Sequence, residues 1–316
     1  MMQAVEYDRY GSASVLGVRD VPRPIPARGE LLVRVRAAAL NPKDVIVRRG
    51  KFLFRLLAGR RFPKRVGFDW SGEIAEVGAG VTGIAVGDAY YGMLDGFQGG
   101  ACAEYLLARP AESAPKPSRL DHAQAAAAPL AASTALQALR DVARLEEGMR
   151  VLVNGASGGV GLFAIQIGKL LGAHVTSTSS AENRELCRKL GADVALDYRA
   201  ADPLAGPERF DVVFDVFGNR SLRQARRVLS GRGVFVTTVP KPSALVDVVL
   251  TLFSSRRARL VIVRPRARDL DLIARWLDEG KVVPVVEQVY SLDRIADAEA
   301  HVETKHTRGK VVVSLD

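Results

Sequence analysis

The chain has 316 residues, enough for one large domain or two ordinary ones, each with a sizeable core. It contains only two cysteines, which excludes a disulfide framework or a thiolate metal cluster within one chain and fits a reducing compartment. The net charge of +10 is partly concentrated around residues 54–65 and 254–268. Arginine-rich solvated faces explain this charge better than a specific nucleic-acid site, because no binding motif with interleaved aromatic residues accompanies it.

The first 120 residues predict a compact, mostly β unit. Short strand-like pieces such as "LLVRVRAAAL" and "SGEIAEVGAG" alternate with turns rich in Gly and Pro. The start of the chain lacks the apolar core of a signal peptide, and the longest apolar runs are shorter than the ~20 residues needed to cross a bilayer. We therefore expect a cytoplasmic protein.

An alanine-rich helical bridge and an α/β segment follow. From about Arg150, near-continuous apolar strands alternate with helical segments, which is typical of a doubly wound parallel sheet covered on both faces. Gly172, Gly191 and Gly231 each follow a helical pattern and are predicted to close it in the left-handed conformation. The C-terminal residues return to strand, helix and strand. The predicted domains are 1–122, 123–265 and 266–316, with the last segment returning to the first domain.

The stretch "VLVNGASGGVGLFAIQIGKLLG" places a glycine-dense turn between a strand and a helix. Gly155 permits the tight turn, Gly158 and Gly159 let the backbone approach a pyrophosphate, and Gly161 allows close packing of helix on strand. The helix N-terminus attracts the negative charge. The segment therefore predicts a dinucleotide-binding site.

The end of the next strand indicates which dinucleotide is bound. Folds that bind NAD usually place Asp or Glu there, to accept a hydrogen bond from the ribose 2′-hydroxyl. This chain has Ser179 and Ser180, which leave room for a 2′-phosphate and favour NADP(H). Two features count against this preference: Glu182 follows closely in the chain, and the first basic residue comes only at Arg184.

Short-chain dehydrogenases share the glycine spacing, but they also need a Tyr followed four residues later by Lys. None of the seven tyrosines has a Lys at that position. The midchain position of the glycine turn also argues against that family.

The sequence resembles the zinc-free quinone oxidoreductase branch of the medium-chain dehydrogenase/reductase family over essentially its full length. Segments in the family's order include "AAALNPKDVIVRRGKF", "VGFDWSGEIAEVGAGVTGIAVGD", "VNGASGGVGLFAIQIGKLLGAHV" and "RGKVVVSLD". The resemblance implies a Rossmann domain, a mostly β GroES-like domain and a homodimer. Zinc-dependent relatives use a Cys and a "GHE" segment where this chain has "NPKD" and "GFDWSG", so both types of zinc ligand are missing. The four histidines are interpreted as solvated or hydrogen-bonded residues.

The resemblance also implies a set of cofactor contacts. The pyrophosphate contacts are Gly155, Ser157, Gly158, Gly159 and Val160, and Ser179 and Tyr198 reach the 2′-phosphate. Phe217 and Gly218, with Thr134, flank the dinucleotide further along. Asn41 and Val263 border the nicotinamide, and Lys310 lies near the cofactor phosphates.

These implications predict a metal-independent NADPH-dependent reductase of a quinone or an α,β-unsaturated carbonyl compound. Asn41 is the candidate orienting group. Asp44 is a candidate for a direct role, with a helix-cap role equally open. Tyr91 is the candidate proton donor, with solvent and a purely packed tyrosine as the alternatives.

The segment "GKFLFRLLAGRRFPKR" is a candidate substrate loop. Its apolar slot would consist of Phe52, Phe54, Leu56 and Leu57, with a basic rim of Arg60, Arg61 and Arg65. Such a rim would suit an anionic substrate or a weak contact with an anionic membrane. Two other functions remain open: an enoyl-thioester reductase, and a non-catalytic NADPH-binding protein that uses its basic surface for RNA or a membrane.

Overall fold

The computed structural model describes residues 1–50, 55, 59 and 61–315. The chain forms two compact units, Met1–Ser133 with Arg264–Asp316, and Thr134–Val263. The first unit extends beyond the boundary predicted at residue 122, and it includes the C-terminal residues. No helix in the described part of the chain is long and apolar enough to cross a bilayer.

The first unit is mostly β, as predicted. One sheet has the strand order β2-β1-β4, and a larger sheet has the order β15-β16-β3-β5-β6-β8, with β7 also paired to β3. The strands are β1 (Met2–Tyr7), β2 (Gly17–Val21), β3 (Leu31–Leu40), β4 (Lys64–Arg65), β5 (Asp69–Val77), β6 (Ala89–Met93), β7 (Tyr105–Ala108), β8 (Ser113–Pro115), β15 (Val286–Ser291) and β16 (Lys310–Ser314).

The larger sheet covers the main core of this unit. Alternate residues of β3 and β5, among them Val33, Val35 and Trp70, are buried in it. The helices of the unit are α1 (Pro42–Arg49), α2 (His122–Ala126), α8 (Ala267–Asp278) and α9 (Ile295–Glu303), and α3 (Pro129–Leu136) contains the boundary between the units. Proline has no N–H for a helix interior, so Pro129 starts α3 instead of continuing α2.

The second unit is built on one parallel sheet with the strand order β11-β10-β9-β12-β13-β14, the order of a doubly wound dinucleotide-binding fold. The predicted fold class is therefore confirmed. The strands are β9 (Arg150–Asn154), β10 (His174–Ser179), β11 (Val194–Asp197), β12 (Phe210–Asp215), β13 (Leu229–Thr237) and β14 (Arg257–Leu260). The connecting helices are α4 (Gly159–Leu170), α5 (Arg184–Lys189), α6 (Leu222–Ala225) and α7 (Pro242–Leu250), and Gln137–Val142 forms a π-helix.

Two of the three predicted glycine helix ends are left-handed, with φ of 79° at Gly172 and 104° at Gly191. Gly231 is not: it lies inside β13, and its φ is outside the left-handed region. The prediction for Gly231 was wrong because α6 ends at Ala225. The residues that continue its helical pattern belong instead to β13, which begins at Leu229 beside β12.

Candidate functional site

The glycine turn of the second unit connects β9 to α4. Gly155 has a φ of 83°, and a Cβ there would lie 2.9 Å from the Cβ of Phe217. A Cβ on Gly161 would lie 2.3 Å from the carbonyl oxygen of Gly155. Both glycines are therefore required by the fold itself, since no side chain fits at either position.

Gly158 is different, because the protein does not require a glycine there. It is the N-cap of α4 with φ −80° and ψ 173°, ordinary extended values, and the nearest atom to an added Cβ would be 3.8 Å away. No side chain caps the helix at this position. The open space next to uncapped N–H groups is the arrangement that a pyrophosphate requires. The neighbouring Ser157, Gly159 and Val160 are half-buried, so this edge is reachable by a ligand.

A polar network supports the turn from below. The amide nitrogen Nδ2 of Asn154 donates to Asp215 at 2.7 Å and to Asn219 at 2.8 Å, while the Thr178 hydroxyl donates to Asn154 Oδ1 at 3.0 Å. Asp215 also accepts the backbone N–H groups of Gly218 and Arg220, each at 3.0 Å. Burial raises the pKa of Asp215. The network connects the end of β12 to the loop that follows it, and it was not predicted from the sequence.

The residues expected near the 2′-phosphate lie at the ends of β10 and β11. Ser179 is buried and its hydroxyl donates to the carbonyl of Ser180 at 3.0 Å, whereas Tyr198 is 44% exposed. Glu182 accepts from the Ser180 hydroxyl at 3.1 Å and forms an ion pair of 3.6 Å with Arg199. The negative charge that counted against NADP(H) is therefore partly neutralised.

Arg199 was missed in the sequence analysis, although it directly follows Tyr198. Its guanidinium lies 5.7 Å from the centre of the Tyr198 ring, and its side chain is largely exposed. Arg184, by contrast, donates to the carbonyl of Ala195 at 2.9 Å. Arg199 is thus the more exposed of these two arginines.

The other cofactor candidates of the second unit differ in how exposed they are. Phe217 is 49% exposed, and Gly218 has a φ of 75° and accepts a hydrogen bond from Lys241. Thr134 is buried in α3, and Val263 is half-buried in an extended segment after β14. Asn41 and Lys310, in contrast, belong to the first unit. The assignment of all these residues to the cofactor stays a prediction.

In the first unit, Asn41, Asp69 and Lys310 come together because of strand pairing. Asn41 follows the end of β3, and β3 pairs antiparallel with both β5 and β16, which begin at Asp69 and Lys310. Asn41 Nδ2 donates to Asp69 at 3.0 Å, and Lys310 Nζ donates to Asp69 at 3.1 Å and to Asn41 Oδ1 at 2.5 Å. All three side chains are buried.

This geometry determines what Asn41 can contribute. Its second amide hydrogen is directed at the carbonyl of Ala39, with a distance of 3.3 Å. Both amide hydrogens are therefore used within the protein. Asp69 is also engaged on its other oxygen, which accepts the N–H of Leu130 at 2.8 Å.

Asp44 has the helix-cap role that the sequence left open. Its carboxylate accepts the N–H of Asn41 at 2.8 Å and the N–H of Gly67 at 2.9 Å. Burial raises the pKa of Asp44 to about 6, and the nearby charge of Asp69 adds to this effect. Asp44 thus connects the start of α1 to the segment before β5.

Tyr91 is fully buried, and its hydroxyl donates to the carbonyl of Leu270 at 2.7 Å. Burial raises the pKa of Tyr91 well above its usual value. This is the packed tyrosine with a satisfied hydroxyl that the sequence analysis gave as the alternative. We therefore remove Tyr91 from the candidate proton donors.

Within residues 1–50, 55, 59 and 61–315, no group of three or more His, Cys, Asp or Glu is arranged to hold a metal. His122 is hydrogen-bonded to the Ser71 hydroxyl at 2.9 Å, and His301 to the Tyr290 hydroxyl at 3.2 Å.

The apolar slot predicted in the substrate loop lies outside the described residues. Its members Phe52, Phe54, Leu56 and Leu57 fall there, together with Arg60 of the basic rim. Arg61 is described and exposed, and Arg65 donates to Glu6 at 3.1 Å.

Comparison with known proteins gives matches over the whole chain. The profile for the alcohol dehydrogenase GroES-like domain matches residues 27–118, and that for zinc-binding dehydrogenase matches residues 190–313. A chloroplast envelope quinone oxidoreductase homolog of Arabidopsis thaliana is 33% identical over 99% of this chain and 98% of its own. A 2-methylene-furan-3-one reductase of Solanum lycopersicum is 36% identical over 99% of this chain and 79% of its own.

Solved structures give the same result. The quinone oxidoreductase from Coxiella burnetii has a TM-score of 0.92 and 31% identity, with 100% of this chain and 99% of that chain covered. A mycobacterial protein complexed with NADPH has a TM-score of 0.84 and 27% identity, with 99% of this chain and 100% of that chain covered.

Proposed function

Because the chain belongs to the medium-chain dehydrogenase/reductase family, in its zinc-free quinone oxidoreductase branch, we propose that it reduces a quinone or an α,β-unsaturated carbonyl compound with NADPH. The family and the relatives identify the protein as a nicotinamide-dependent oxidoreductase. The observation that carries the cofactor part of the proposal is the open space at Gly158, beside the uncapped N-terminus of α4.

When bound, the reduced nicotinamide supplies a hydride to the substrate. The turn from Gly155 to Gly161 would hold the pyrophosphate through backbone N–H groups. The network of Asn154 and Asp215 keeps the loop with Phe217 and Gly218 in one conformation, so that it is preorganised for the dinucleotide. The protein contributes mainly by orienting the two reactants and excluding water.

A preference for NADPH over NADH is supported by the residues beyond β10 and β11. Ser179 and Ser180 are small and leave room for a 2′-phosphate, Tyr198 is exposed, and the guanidinium of Arg199 supplies positive charge. The Glu182 side chain is 75% exposed, so water and salt screen the repulsion between its charge and a 2′-phosphate.

On the substrate side, we propose that Asn41 borders the nicotinamide as a positioned but fully hydrogen-bonded residue. Its amide hydrogens are used by Asp69 and Ala39, so the donor to a substrate carbonyl must be another group. Lys310 is held away from that role by Asn41 and Asp69.

The test is NADPH oxidation followed at the nicotinamide absorbance, with 1,4-benzoquinone, 9,10-phenanthrenequinone, a medium-chain enone and an enoyl-CoA in parallel. NADH and EDTA serve as controls. We expect EDTA-resistant turnover of a quinone or the enone, with NADPH preferred. Dominant turnover of the enoyl-CoA would indicate an enoyl-thioester reductase instead. Tight NADPH binding without turnover would contradict the proposal and favour a binding protein.

We also propose that the protein is a homodimer. In the described part of the chain, β14 is the last strand of its sheet, and the residues before it include six exposed apolar side chains: Leu245, Val246, Val249, Leu250, Leu252 and Phe253. A two-fold axis brings the same patch of both copies together, so an apolar patch is self-complementary. Sedimentation equilibrium tests this. A monomer that binds anionic vesicles would favour the membrane contact. The cytoplasmic location stays a prediction.

A further inference from the structure

Lys43 is a partly buried charged residue whose ammonium group lies against aromatic rings. It lies in the first turn of α1, two residues after Asn41. Its Nζ atom is 3.7 Å from the centre of the Phe68 ring and 5.5 Å from that of Phe97. Phe68 itself is buried in a small apolar cluster. The ammonium group is therefore held over aromatic faces.

The ring under Lys43 is fixed to the polar cluster described above. Phe68 lies between Gly67, whose N–H donates to Asp44, and Asp69, which accepts from Asn41 and Lys310. The two residues that flank Phe68 in the chain are therefore both hydrogen-bonded to members of that cluster. The ammonium of Lys43 is consequently placed beside the Asn41 cluster by the same contacts that organise that cluster.

Lys43 has no hydrogen-bond acceptor and no ion-pair partner in the part of the chain that the structure describes. The carboxylates that face it are Asp44 on its own helix, Asp69 at the start of β5 and Asp95 after β6. They act on it only at longer range, and Asp69 is already bound to the ammonium of Lys310. Burial lowers the pKa of Lys43, because the charged form loses water without gaining a direct partner.

The other polar groups of the cluster are already engaged. Asn41 has used both amide hydrogens, Lys310 donates to Asn41 and Asp69, and the Tyr91 hydroxyl donates to Leu270. Asp44 accepts two backbone N–H groups. Among these groups, the ammonium of Lys43 is the donor that is left for a ligand.

We propose that Lys43 binds the substrate carbonyl oxygen and protonates it during reduction. This proposal rests on the proposed function. A quinone that accepts a hydride from reduced nicotinamide becomes a hydroquinone monoanion, and an enone that accepts it at the β-carbon becomes an enolate. In both cases the negative charge is on oxygen, an O–H bond forms to it, and an N–H bond of Lys43 breaks. Neutral Lys43 then takes a proton from water. The product is a hydroquinone, or an enol that becomes the ketone in solution.

Three variants separate this role from a packing role. Lys43→Met removes both the charge and the proton. Lys43→Arg keeps the charge, but arginine does not release a proton in the accessible pH range. Lys281→Met is the matched control, because Lys281 is a half-exposed lysine paired with Glu279 at 2.7 Å. Thermal unfolding and NADPH binding verify that each variant is folded.

The readout is the dependence of kcat/KM on pH for the best substrate of the panel. For the wild type, kcat/KM should fall as pH rises through the pKa of Lys43, which lies below the ~10.4 of an ordinary lysine. Lys43→Met should lower kcat by about 10²-fold and lose this alkaline limb, as expected when a general acid is removed. Lys43→Arg should also lose the limb while it retains more of the substrate affinity. Lys281→Met should behave as the wild type.

A second readout does not depend on turnover. Protein labelled with ¹³C-lysine gives a side-chain NMR signal for Lys43, assigned by its absence in the Lys43→Met variant. We expect a lowered pKa, and we expect 4-nitrophenolate, a planar aromatic oxyanion, to raise it on binding. Lys43→Met should bind this probe at least tenfold more weakly than Lys281→Met.

The outcomes separate the two proposals. If the wild type turns over and Lys43→Met keeps both its rate and its alkaline limb, the role of Lys43 is overturned and the proposed function stands. If the wild type reduces nothing in the panel, the proposed function fails. The NMR titration then decides alone: an ordinary lysine pKa, unchanged by 4-nitrophenolate, overturns the assignment of Lys43 to an oxyanion, and a lowered pKa that rises with the probe supports it.

Discussion

Gly158→Ala should weaken NADPH binding and leave the fold intact. The added methyl group has its nearest protein atom at 3.8 Å, and the backbone of Gly158 has angles that alanine adopts freely. Alanine is a poorer N-cap than glycine by about 0.5–1 kcal/mol, and the more restricted unfolded chain returns about 0.4–1 kcal/mol. These two effects nearly cancel, so the free energy of unfolding should change by less than about 0.5 kcal/mol.

The same methyl group occupies the space that we assign to the pyrophosphate. We expect NADPH to bind at least tenfold more weakly, which corresponds to about 1.4 kcal/mol. Titration calorimetry measures the binding, and unfolding followed by circular dichroism measures stability. Gly161→Ala is the contrasting variant: its Cβ would lie 2.3 Å from a backbone oxygen, so it should be strongly destabilised. Unchanged NADPH affinity in folded Gly158→Ala would refute the placement of the cofactor.

Three further predictions follow from the same structure. Asp69→Asn should destabilise the protein by about 3–5 kcal/mol in urea unfolding, because Lys310 is left buried without its counter-charge. The control is Asp297→Asn, which removes an exposed ion pair with Arg294 and should cost less than about 1 kcal/mol. Burial raises the pKa of Glu299 to about 8, above its unfolded value. The contribution of Glu299 to the free energy of unfolding is therefore lost as pH rises from about 5 to about 8. Glu299→Gln should flatten this decline in stability when urea unfolding is measured across that pH range. Arg199→Met should raise the KM for NADPH about tenfold and leave that for NADH unchanged in steady-state kinetics, and equal effects on both cofactors would contradict its role at the 2′-phosphate.

The sequence predicted the glycine turn because its signal is local. A strand, a tight turn and a helix start are adjacent in the chain, and the spacing of the glycines between them can be read directly from the sequence. The polar network below the turn was not predicted, since it joins Asn154, Thr178 and Asp215 from three different strands. Only the parallel register places Asn154 opposite the other two. Polar residues at the last positions of apolar strands were the available signal.

The candidate site of the first unit shows the same limit more clearly. Sequence resemblance identified Asn41 and Lys310, but Asp69 became a member only through the pairing of β5 with β3. Residue type also did not reveal which side-chain hydrogen-bond donors are already used by contacts within the protein. Tyr91 has a hydroxyl that could donate a proton in principle, and the structure commits that hydroxyl to the carbonyl of Leu270.

The two units bury polar side chains in the same way. Each contains one network of buried polar side chains that are hydrogen-bonded to one another: the Asn154 network in one unit, and the cluster of Asn41, Asp69 and Lys310 in the other. Unsatisfied buried groups are costly, so the donors left open near such networks are expected to serve a ligand. Two open donors that we assign to ligands are the N-terminal N–H groups of α4 and the ammonium of Lys43. In our proposal, the N–H groups of α4 bind the cofactor pyrophosphate, and Lys43 binds the oxyanion that forms on the substrate during reduction.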